Sequence, residues 1–537
     1  MAKYDGIIIG SGPNGLAVAA YLAKAGLKIL LLERRYEMGG GLCTEKVTLP
    51  GFIHNTHAVY HMMVDYAPVF KDLRLEDYGL RFVRPSPVMA MPLSDGSSIC
   101  LYTDVDKTCE SIGQFSKRDA NTYREIADRF QTYMDDFLAP ASYCKPVAPI
   151  DQVAMMQATE VGRELNELTE KTPKQIVDEL FENEHVRGLM LFAACFWGLD
   201  YDLEGVGYLV PLFINRATNY RLCIGGSHHL AHVLSKVIYE NGGMVLGSKV
   251  VKRIIVENGA AKGVELEDGT IITANKFVAS SIDPHQTFSR LVGEEHLDPY
   301  FVQRIKDWKW EASSLLGVHL ALDTAPHFIA AEENPDVDKA FVYVVGYETE
   351  DDVVSHFDAL YRGELVAGGF NCCFPSVHDS GQAPRGKHTG LISKHAPYNL
   401  KNGGPEEWYR VRDEQADECI ATLHRYVPNL TSDNILWRYV STPLDIENKF
   451  HNMVNGSIKQ GAYIPFQMGY LRPNEECSAN VTPIKGLYVC GASTFSGGMV
   501  IFGPGYIAAN SIAEDLGIDK WWQEPEMVIS AREKGML

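Results

Sequence analysis

The sequence lacks any apolar run long enough to cross a bilayer, since a spanning helix needs about 20 consecutive apolar residues. The strongest candidate, residues 189–199 (LMLFAACFWGL), is too short and reads better as a buried helix or a substrate wall. The opening MAKYDGIIIG also lacks a cleavable export signal, because its short apolar stretch leads straight into a glycine turn. We therefore expect a cytoplasmic protein. Peripheral membrane contact stays open, with residues 189–199 and Trp521-Trp522 as candidate contacts.

Positive charge and paired cysteines are also scarce. Lys and Arg number 49 against 69 Asp and Glu, which gives a formal net charge of −20. A surface of this sign repels phosphate backbones, so nucleic acid is excluded as an expected partner. The 11 cysteines include no Cys-x-x-Cys spacing, which excludes a redox dithiol and favours reduced thiols.

What the sequence does have is a strand, a glycine-rich turn, a helix and a second strand at its start. Residues 5–10 (DGIIIG) form a short β-branched run typical of a buried parallel strand. The small-residue segment LAVAAYLAKAG follows and ends at Gly26, as helices commonly end at glycine. Residues 28–33 (KILLLE) predict the second strand.

The turn carries the pattern Gly10-x-Gly12-x-x-Gly15. Gly10 permits the tight turn, Gly12 lets the backbone approach a pyrophosphate, and Gly15 lets the helix pack close to the strand. The helix N-terminus offers N–H groups and partial positive charge to phosphates. Glu33, at the end of the second strand, is placed to accept hydrogen bonds from ribose hydroxyls. The pattern predicts a dinucleotide-binding domain, but it does not separate FAD from NAD.

Several later segments have recognisable patterns. Residues 105–200 are rich in helix formers and predict a mainly helical region. Gly225-Gly226 precedes a helix for which Ser227 is the expected cap. One face of that helix is apolar, formed by Leu230, Val233, Leu234, Val237 and Ile238. Strands are expected at 244–256, 262–267, 271–281 and 486–491, with a hairpin turn at Asp268-Gly269.

The residues after Glu33, Arg34 and then Met38-Gly39-Gly40-Gly41, resemble the strand-end acid and glycine pair of the amine oxidase and phytoene desaturase superfamily. Further stretches match in order, and the resemblance is closest to the phytoene desaturase and carotenoid isomerase branch. These stretches are Gly51-Phe52, Gly225-Gly226 with Gly242-Gly243, Lys249-Val250-Val251, and residues 486–511. The resemblance implies FAD as cofactor, bound by Gly10, Gly12, Gly15, Glu33, Arg34, Gly39, Gly40, Val250, Gly491, Met499 and Val500.

The same resemblance implies an α/β fold. A Rossmann-type FAD-binding domain would be interleaved with a substrate domain built on an antiparallel sheet plus helices. We expect the FAD-binding domain to comprise residues 1–90, 221–290 and 481–537. A helical substrate region would take residues 91–220, and a substrate-binding domain residues 291–480.

Two departures from the family pattern single out His57. Carotenoid desaturases usually carry Thr-His-Pro-Gly near the flavin ring, where this chain has residues 494–499 (TFSGGM). The family's Gly-Phe-x-Phe-Asp-x-Gly corresponds to residues 51–57 (GFIHNTH), with Asn55 and His57 in place of the Asp and the second Gly. His57 is therefore the candidate general acid or base, since an imidazole titrates near neutral pH. A purely packing role stays open for it.

Four more residues are candidates for the substrate pocket by their sequence proximity to the flavin-facing segments: Tyr60, His61, Phe502 and Tyr506. Core packing is the alternative for each. The histidines at 54, 57 and 61, and those at 228, 229 and 232, lack evident carboxylate or cysteine partners, so we predict no metal site.

The leading hypothesis is an FAD-dependent oxidoreductase that desaturates or saturates a C–C bond of a small apolar substrate, isoprenoid or alicyclic, with an unknown electron acceptor. A second hypothesis is a flavin-dependent isomerase or hydratase of an unsaturated substrate without net redox change. A third is a lipid or prenyl-protein carrier of the same fold. The intact glycine pattern and Glu33 argue against the third, because a carrier needs no pyrophosphate site.

Overall fold

The computed structural model describes residues 4–537. Its strands, in chain order, are β1 (Tyr4–Ile9), β2 (Ile29–Leu32), β3 (Thr44–Glu45), β4 (His54–Asn55), β5 (Phe82–Val83), β6 (Met89–Pro92), β7 (Ser98–Leu101), β8 (Leu222–Cys223), β9 (Met244–Leu246), β10 (Val251–Glu257), β11 (Ala260–Leu266), β12 (Ile271–Ser280), β13 (Ser313–Leu322), β14 (Val342–Val345), β15 (Phe370–Cys373), β16 (His388–Pro397), β17 (Ile435–Ser441) and β18 (Leu487–Val489).

The α-helices of the same residues are, in chain order, α1 (Pro13–Lys24), α2 (Pro68–Asp72), α3 (Val105–Gly113), α4 (Lys117–Tyr133), α5 (Ala139–Ala141), α6 (Pro149–Ala158), α7 (Glu160–Thr169), α8 (Pro173–Leu180), α9 (Glu184–Cys195), α10 (Val210–Ala217), α11 (His228–Glu240), α12 (Pro299–Lys306), α13 (Glu350–Tyr361), α14 (Trp408–His424), α15 (Pro443–Lys449), α16 (Gly503–Asp515) and α17 (Glu526–Glu533).

The first sheet brings together distant parts of the chain around β1. Strands β18, β12, β1, β2 and β9 lie side by side and pair in parallel, with Ile9 opposite Leu32 and Ser280. Strands β10 and β11 extend the sheet by antiparallel pairing to β12. Helix α1 covers one face and packs between α11 and α16. The apolar run of β1 is buried because both faces of the sheet are covered.

The second sheet has the order β17-β13-β16-β15-β14-β6-β7. Its longest pairing joins β13 to β16 in antiparallel register from Ser313–Pro397 to Leu322–His388. The pairing of β14 with β6 is parallel, and the other neighbours run antiparallel. An α/β architecture with a Rossmann-type sheet and a largely antiparallel second sheet is thus confirmed. The domain boundaries stay a prediction, although the two sheets do draw alternately on the sequence.

The predicted helical region is confirmed, because α3 to α9 fill most of residues 105–200. Residues 189–199 belong to α9 and the turn after it, and from Leu189 to Cys195 each side chain is fully buried. Trp522 is also buried, while Trp521 stacks on Tyr21 at 5.5 Å between ring centroids. Residues 189–195 and Trp522 are therefore buried, whereas Trp197 and Trp521 are partly exposed. None of the helices in residues 4–537 has the length and apolar character to cross a membrane.

The hairpin at Asp268-Gly269 is present, since it joins the antiparallel strands β11 and β12. The predicted apolar face of α11 is buried. Ser227 occupies the N-cap position of α11 as expected, but its side chain makes no capping hydrogen bond. Its hydroxyl is used elsewhere and donates to the carbonyl of Ala58.

Candidate cofactor and substrate site

The turn between β1 and α1 has the geometry of a phosphate cradle. Gly10 has φ +89°, in the left-handed region that favours glycine. A Cβ on Gly15 would lie 2.2 Å from the Gly10 carbonyl oxygen, so only glycine allows this close packing of helix and turn. A Cβ on Gly12 would meet only the Ser281 hydroxyl, at 3.8 Å, and would otherwise project into open space. That space lies at the N-terminus of α1, where free N–H groups favour phosphate.

Glu33 follows β2, and its carboxylate is hydrogen-bonded to Ser11 in the glycine turn. One carboxylate oxygen accepts hydrogen bonds from the Ser11 amide at 3.0 Å and the Ser11 hydroxyl at 2.7 Å. The other oxygen accepts from the Arg35 amide at 2.8 Å. These bonds orient the carboxylate, and the oxygen that accepts only from Arg35 retains capacity to accept from a ribose hydroxyl.

A cavity of about 440 Å³ runs from Glu33 past the glycine turn to the segment before α16. We call it the dinucleotide cavity. Of the predicted cofactor residues, its wall includes Gly10, Gly12, Glu33, Arg34, Gly40, Val250, Met499 and Val500. Lys249 and Arg290 add positive charge to the wall. The cavity thus brings together an acid, a helix N-terminus and cations, which are the groups that bind the ribose and pyrophosphate of a dinucleotide.

Three predicted cofactor residues lie behind that wall. Gly15 packs under the turn, as described above. The Gly39 amide donates to the Ser11 carbonyl at 2.9 Å, and a Cβ on Gly491 would lie 2.6 Å from the Ser281 carbonyl oxygen. The structure thus places these glycines where they support the cavity lining. Direct cofactor contact by them stays a prediction.

The far end of the dinucleotide cavity is formed by the segment before α16. Met499 and Val500 both have positive φ values, 64° and 57°, which is strained for residues with side chains and for β-branched valine above all. Helix α16 is held against α1, since the Gly505 amide donates to the Asn14 side chain at 3.2 Å. Such strain is typical of functional segments that the surrounding structure holds in place.

A second cavity, of about 770 Å³, shares one wall residue with the first, Met499. We call it the apolar cavity. Its lining includes Phe137, Leu209, Leu212, Phe213, Phe495 and Ile501. A third cavity, of about 300 Å³, is more polar and contains His395 and Lys459. Tyr463 separates it from the apolar cavity, because its side chain lines both.

Of the four predicted pocket residues, Tyr506 lines the apolar cavity. Tyr60, His61 and Phe502 line none of the three cavities and are packed in the core. The Tyr60 hydroxyl donates to the Asn371 side-chain oxygen at 3.2 Å. A substrate role for these residues stays a prediction.

His61 and Phe502 also make specific contacts in the core. The His61 Nε2 lies 3.4 Å from the Ser227 hydroxyl, and the His61 backbone pairs with Arg221. The Phe502 ring packs edge-on against Phe70 at 5.6 Å. Their proximity in sequence to cofactor residues therefore does not bring their side chains to a cavity.

His57 lies one layer behind the dinucleotide cavity. Its ring meets Phe450 edge-on at 4.5 Å, and Phe450 lines the cavity. Burial, together with the positive charge of Lys449, lowers the pKa of His57 to about 3. The imidazole is therefore neutral at pH 7. Its role as general acid or base stays a prediction.

His57 belongs to a group of three neighbouring histidines with His54 and His319. The His54 and His319 rings lie edge to face at 5.5 Å, and His54 Nε2 is 2.7 Å from the Thr48 hydroxyl. Burial lowers the pKa of His54 to about 4. It lowers that of His319 further, with the charges of His54 and His57 adding to the effect. The folded protein thus keeps three imidazoles neutral that the unfolded chain would protonate below about pH 6.5.

This histidine group predicts an acid-sensitive fold. Between pH 6.5 and about 4 the unfolded chain binds more protons than the folded one, so stability falls as pH falls through that window. We expect the thermal midpoint to drop between pH 7 and pH 5. In His54→Gln this drop should be smaller. A drop of unchanged size in His54→Gln would contradict the assignment to the buried imidazoles.

Comparisons with known proteins agree with a dinucleotide-binding site at the glycine turn. A family profile described as an NAD(P)-binding Rossmann-like domain matches residues 8–74, which contain the glycine turn and Glu33. A limonene dehydrogenase chain of Castellaniella defragrans is 42% identical to this chain, in an alignment covering 99% of this chain and 98% of that protein. The chain belongs to the phytoene desaturase-like family of FAD-dependent oxidoreductases. The family cofactor, FAD, suits the dinucleotide cavity, because Gly12 leaves open the space that a pyrophosphate needs.

More distant relatives agree with this family assignment. The lycopene-forming phytoene desaturase of Pseudescherichia vulneris is 23% identical, over 96% of this chain and 99% of that protein. Cyclohexylamine oxidase from Brevibacterium oxydans IH-35A has the same fold, with a TM-score of 0.59 at 17% identity, over 96% of this chain and 100% of that chain.

Sequence reasoning missed one wall of the dinucleotide cavity. Residues 450–453, Ile458 and Gln460 line it opposite the glycine turn. No motif marks this stretch, although its asparagines and glycines are a weak signal for irregular backbone. Asn455 and Gln460 indeed have positive φ values, 56° and 58°.

Proposed function

We propose that this phytoene desaturase-like protein oxidises a C–C bond of an apolar isoprenoid or alicyclic substrate, with FAD as the immediate oxidant. The observation that carries the proposal is the shared wall at Met499 between the apolar cavity and the dinucleotide cavity. A substrate in the apolar cavity would lie beside the end of the cofactor remote from its ribose.

The size and lining of the apolar cavity support a compact hydrocarbon. Its volume of about 770 Å³ lies within the range of small-molecule sites. Leucine and phenylalanine side chains would bind such a substrate by burial of apolar surface and would exclude water from the reacting carbon. The 42% identity to the Castellaniella limonene dehydrogenase adds that a cyclic terpene hydrocarbon is the first substrate to test.

Bound FAD supplies the two-electron oxidant for this reaction. The residues of the chain supply position and a dry environment. Tyr463 is a polar group in the wall of the apolar cavity, and its hydroxyl lies close to the backbone of Gly498, a wall residue of the dinucleotide cavity. A Cβ on Gly497 would lie 2.6 Å from that hydroxyl oxygen, so the phenol reaches the segment that leads to Met499. Burial raises the pKa of Tyr463, so at neutral pH the phenol is protonated and would act there as a hydrogen-bond donor.

The proposal predicts that filling the apolar cavity blocks the substrate but not the cofactor. In Ala141→Trp, the indole would occupy space beside Ala141, which lines the cavity. We expect the second-order rate of flavin reduction by limonene or the best terpene substrate to fall at least about tenfold. The measurement is anaerobic stopped-flow absorbance of the FAD-loaded protein.

The matched control is Ala158→Trp, which places the same side chain at an exposed position of α6 away from the cavity lining. It should reduce at the rate of the unaltered protein. Equal rates in all three proteins, with FAD bound in each, would show that the substrate does not use this cavity.

A further inference from the structure

We infer that a buried, positively charged group of residues beside the dinucleotide cavity raises the reduction potential of the bound FAD. The group consists of Lys459, Arg472 and Glu311, and we call it the Lys459 cluster. The inference concerns the cofactor of the family and does not depend on the substrate proposed above.

The Lys459 backbone and the Arg472 guanidinium lie directly behind the wall of the dinucleotide cavity, and the Lys459 amine points to Gly198 in the wall of the 300 Å³ cavity. Lys459 sits between Ile458 and Gln460, both of which line that cavity. A Cβ on Gly498, another wall residue, would lie 3.3 Å from the Lys459 Cα. Gly498 precedes Met499, so the cluster adjoins the end of the cavity remote from Glu33. That end takes the isoalloxazine ring if the ribose lies at Glu33.

Both cations of the cluster are buried. Lys459 is 2% exposed, and its amine donates to the Gly198 carbonyl at 2.9 Å. The same amine lies 4.7 Å from the centre of the Tyr463 ring. Arg472 is fully buried, and its guanidinium donates to the Lys459 carbonyl at 3.2 Å and to that of Ala492 at 3.0 Å. Ala492 is itself a wall residue of the dinucleotide cavity.

One carboxylate of the cluster opposes these two cations. Glu311, which is 9% exposed, accepts hydrogen bonds from the amides of Lys459 at 3.0 Å and Gly461 at 3.3 Å. The negative charge of Glu311 acts on both cations. With Lys459 protonated, the cluster carries two positive charges and one negative charge away from water.

A buried net positive charge is unfavourable without a compensating anion. Burial accordingly lowers the pKa of both Lys459 and Arg472. A negative charge that develops nearby would be stabilised by the cluster, and the effect is strong where water is excluded. The site where such a charge develops is the cofactor.

Reduction of FAD supplies that charge. The ring gains two electrons and takes up one proton, which leaves one net negative charge on it. A nearby cation stabilises this reduced form more than the neutral oxidised form, so it raises the midpoint potential. A higher potential suits an enzyme that removes hydrogen from unactivated carbon.

The test is potentiometric titration of the FAD-loaded protein with dithionite and mediator dyes, without substrate. Lys459→Met removes the charge and keeps an unbranched side chain. We expect a lower midpoint potential than in the unaltered protein. The matched control is Lys309→Met, since Lys309 is exposed at the mouth of the same 300 Å³ cavity and water screens its charge. Its midpoint should not change, and the difference between the two variants should persist at high salt.

A wild-type midpoint potential in folded, FAD-loaded Lys459→Met would overturn the inference. A lowering of equal size in Lys309→Met would also overturn it, because it would point to net charge and not to the cluster. If Lys459→Met does not retain FAD, Glu311→Gln decides, since loss of the carboxylate charge should raise the potential. An unchanged potential in Glu311→Gln would then count against the inference.

Discussion

Gly12→Ala is expected to yield a folded protein without its cofactor. The backbone at Gly12 has φ −62° and ψ 173°, which alanine adopts without strain. The added methyl would project into the dinucleotide cavity, where only the Ser281 hydroxyl comes within 4 Å. It would thus occupy the space of the pyrophosphate while leaving the protein contacts intact.

Two charge-assisted hydrogen bonds from the turn to phosphate would be lost or lengthened. Such bonds contribute about 1.5–3 kcal/mol each, so FAD affinity should fall by about 100-fold or more. The measurement is the flavin content of the purified protein by its visible spectrum, followed by titration with added FAD.

Gly113→Ala is the matched control for this prediction. Gly113 lies in α3, and a Cβ there would make ordinary contact with Ala120 at 3.7 Å. That variant should be yellow and bind FAD normally. Full flavin occupancy in Gly12→Ala would contradict the placement of the pyrophosphate at this turn.

Arg472→Met is expected to cause the largest loss of stability. The Arg472 guanidinium is fully buried and donates to carbonyl groups of several turns. These acceptors belong to Lys459, Gly461, Ala462, Gln467 and Ala492. A methionine of similar length would leave these carbonyls unpaired away from water, except that of Ala462, which also accepts from the Gln467 side chain. It would also leave Glu311 with one cation fewer. We expect a loss of about 3–5 kcal/mol in the free energy of unfolding.

The free energy of unfolding would be measured by urea denaturation, with Arg410→Met as control. Arg410 is 72% exposed and pairs with Glu407 three residues earlier in the chain. Exposed pairs of this kind contribute about 0–1 kcal/mol, so the control should unfold near the midpoint of the unaltered protein. Similar urea midpoints for both variants would show that the hydrogen bonds from Arg472 to the backbone carbonyls contribute little to the stability of the fold.

The N-terminal unit was predictable because its signals are local. The glycines at 10, 12 and 15 and the acid at 33 lie within one strand–turn–helix–strand segment, and each has a single physical reason. The family resemblance extended this to the distant β12 and β18, whose short apolar runs alone do not specify their partners. The assignment to a flavoprotein family is confirmed by the relatives.

The substrate side was less predictable because it depends on contacts between distant parts of the chain. Phe450 and Gln460 reach the dinucleotide cavity only because α15 and the turns after it fold across β13. The Lys459 cluster joins residues 311, 459 and 472 from a region without a motif. Conversely, Tyr60 follows a cofactor segment closely in sequence, yet its hydroxyl bonds to Asn371 in the second sheet.

The central claim is that an apolar substrate reduces FAD bound at the N-terminal turn. It rests on Met499, which lines both the apolar cavity and the dinucleotide cavity. The most direct test is the visible spectrum of the FAD-loaded protein, recorded without oxygen during addition of limonene and a panel of related terpenes. We expect one equivalent of a substrate to bleach the oxidised flavin bands and to leave them bleached. If the flavin stays oxidised while a terpene is converted to a product of unchanged formula, the central claim is contradicted.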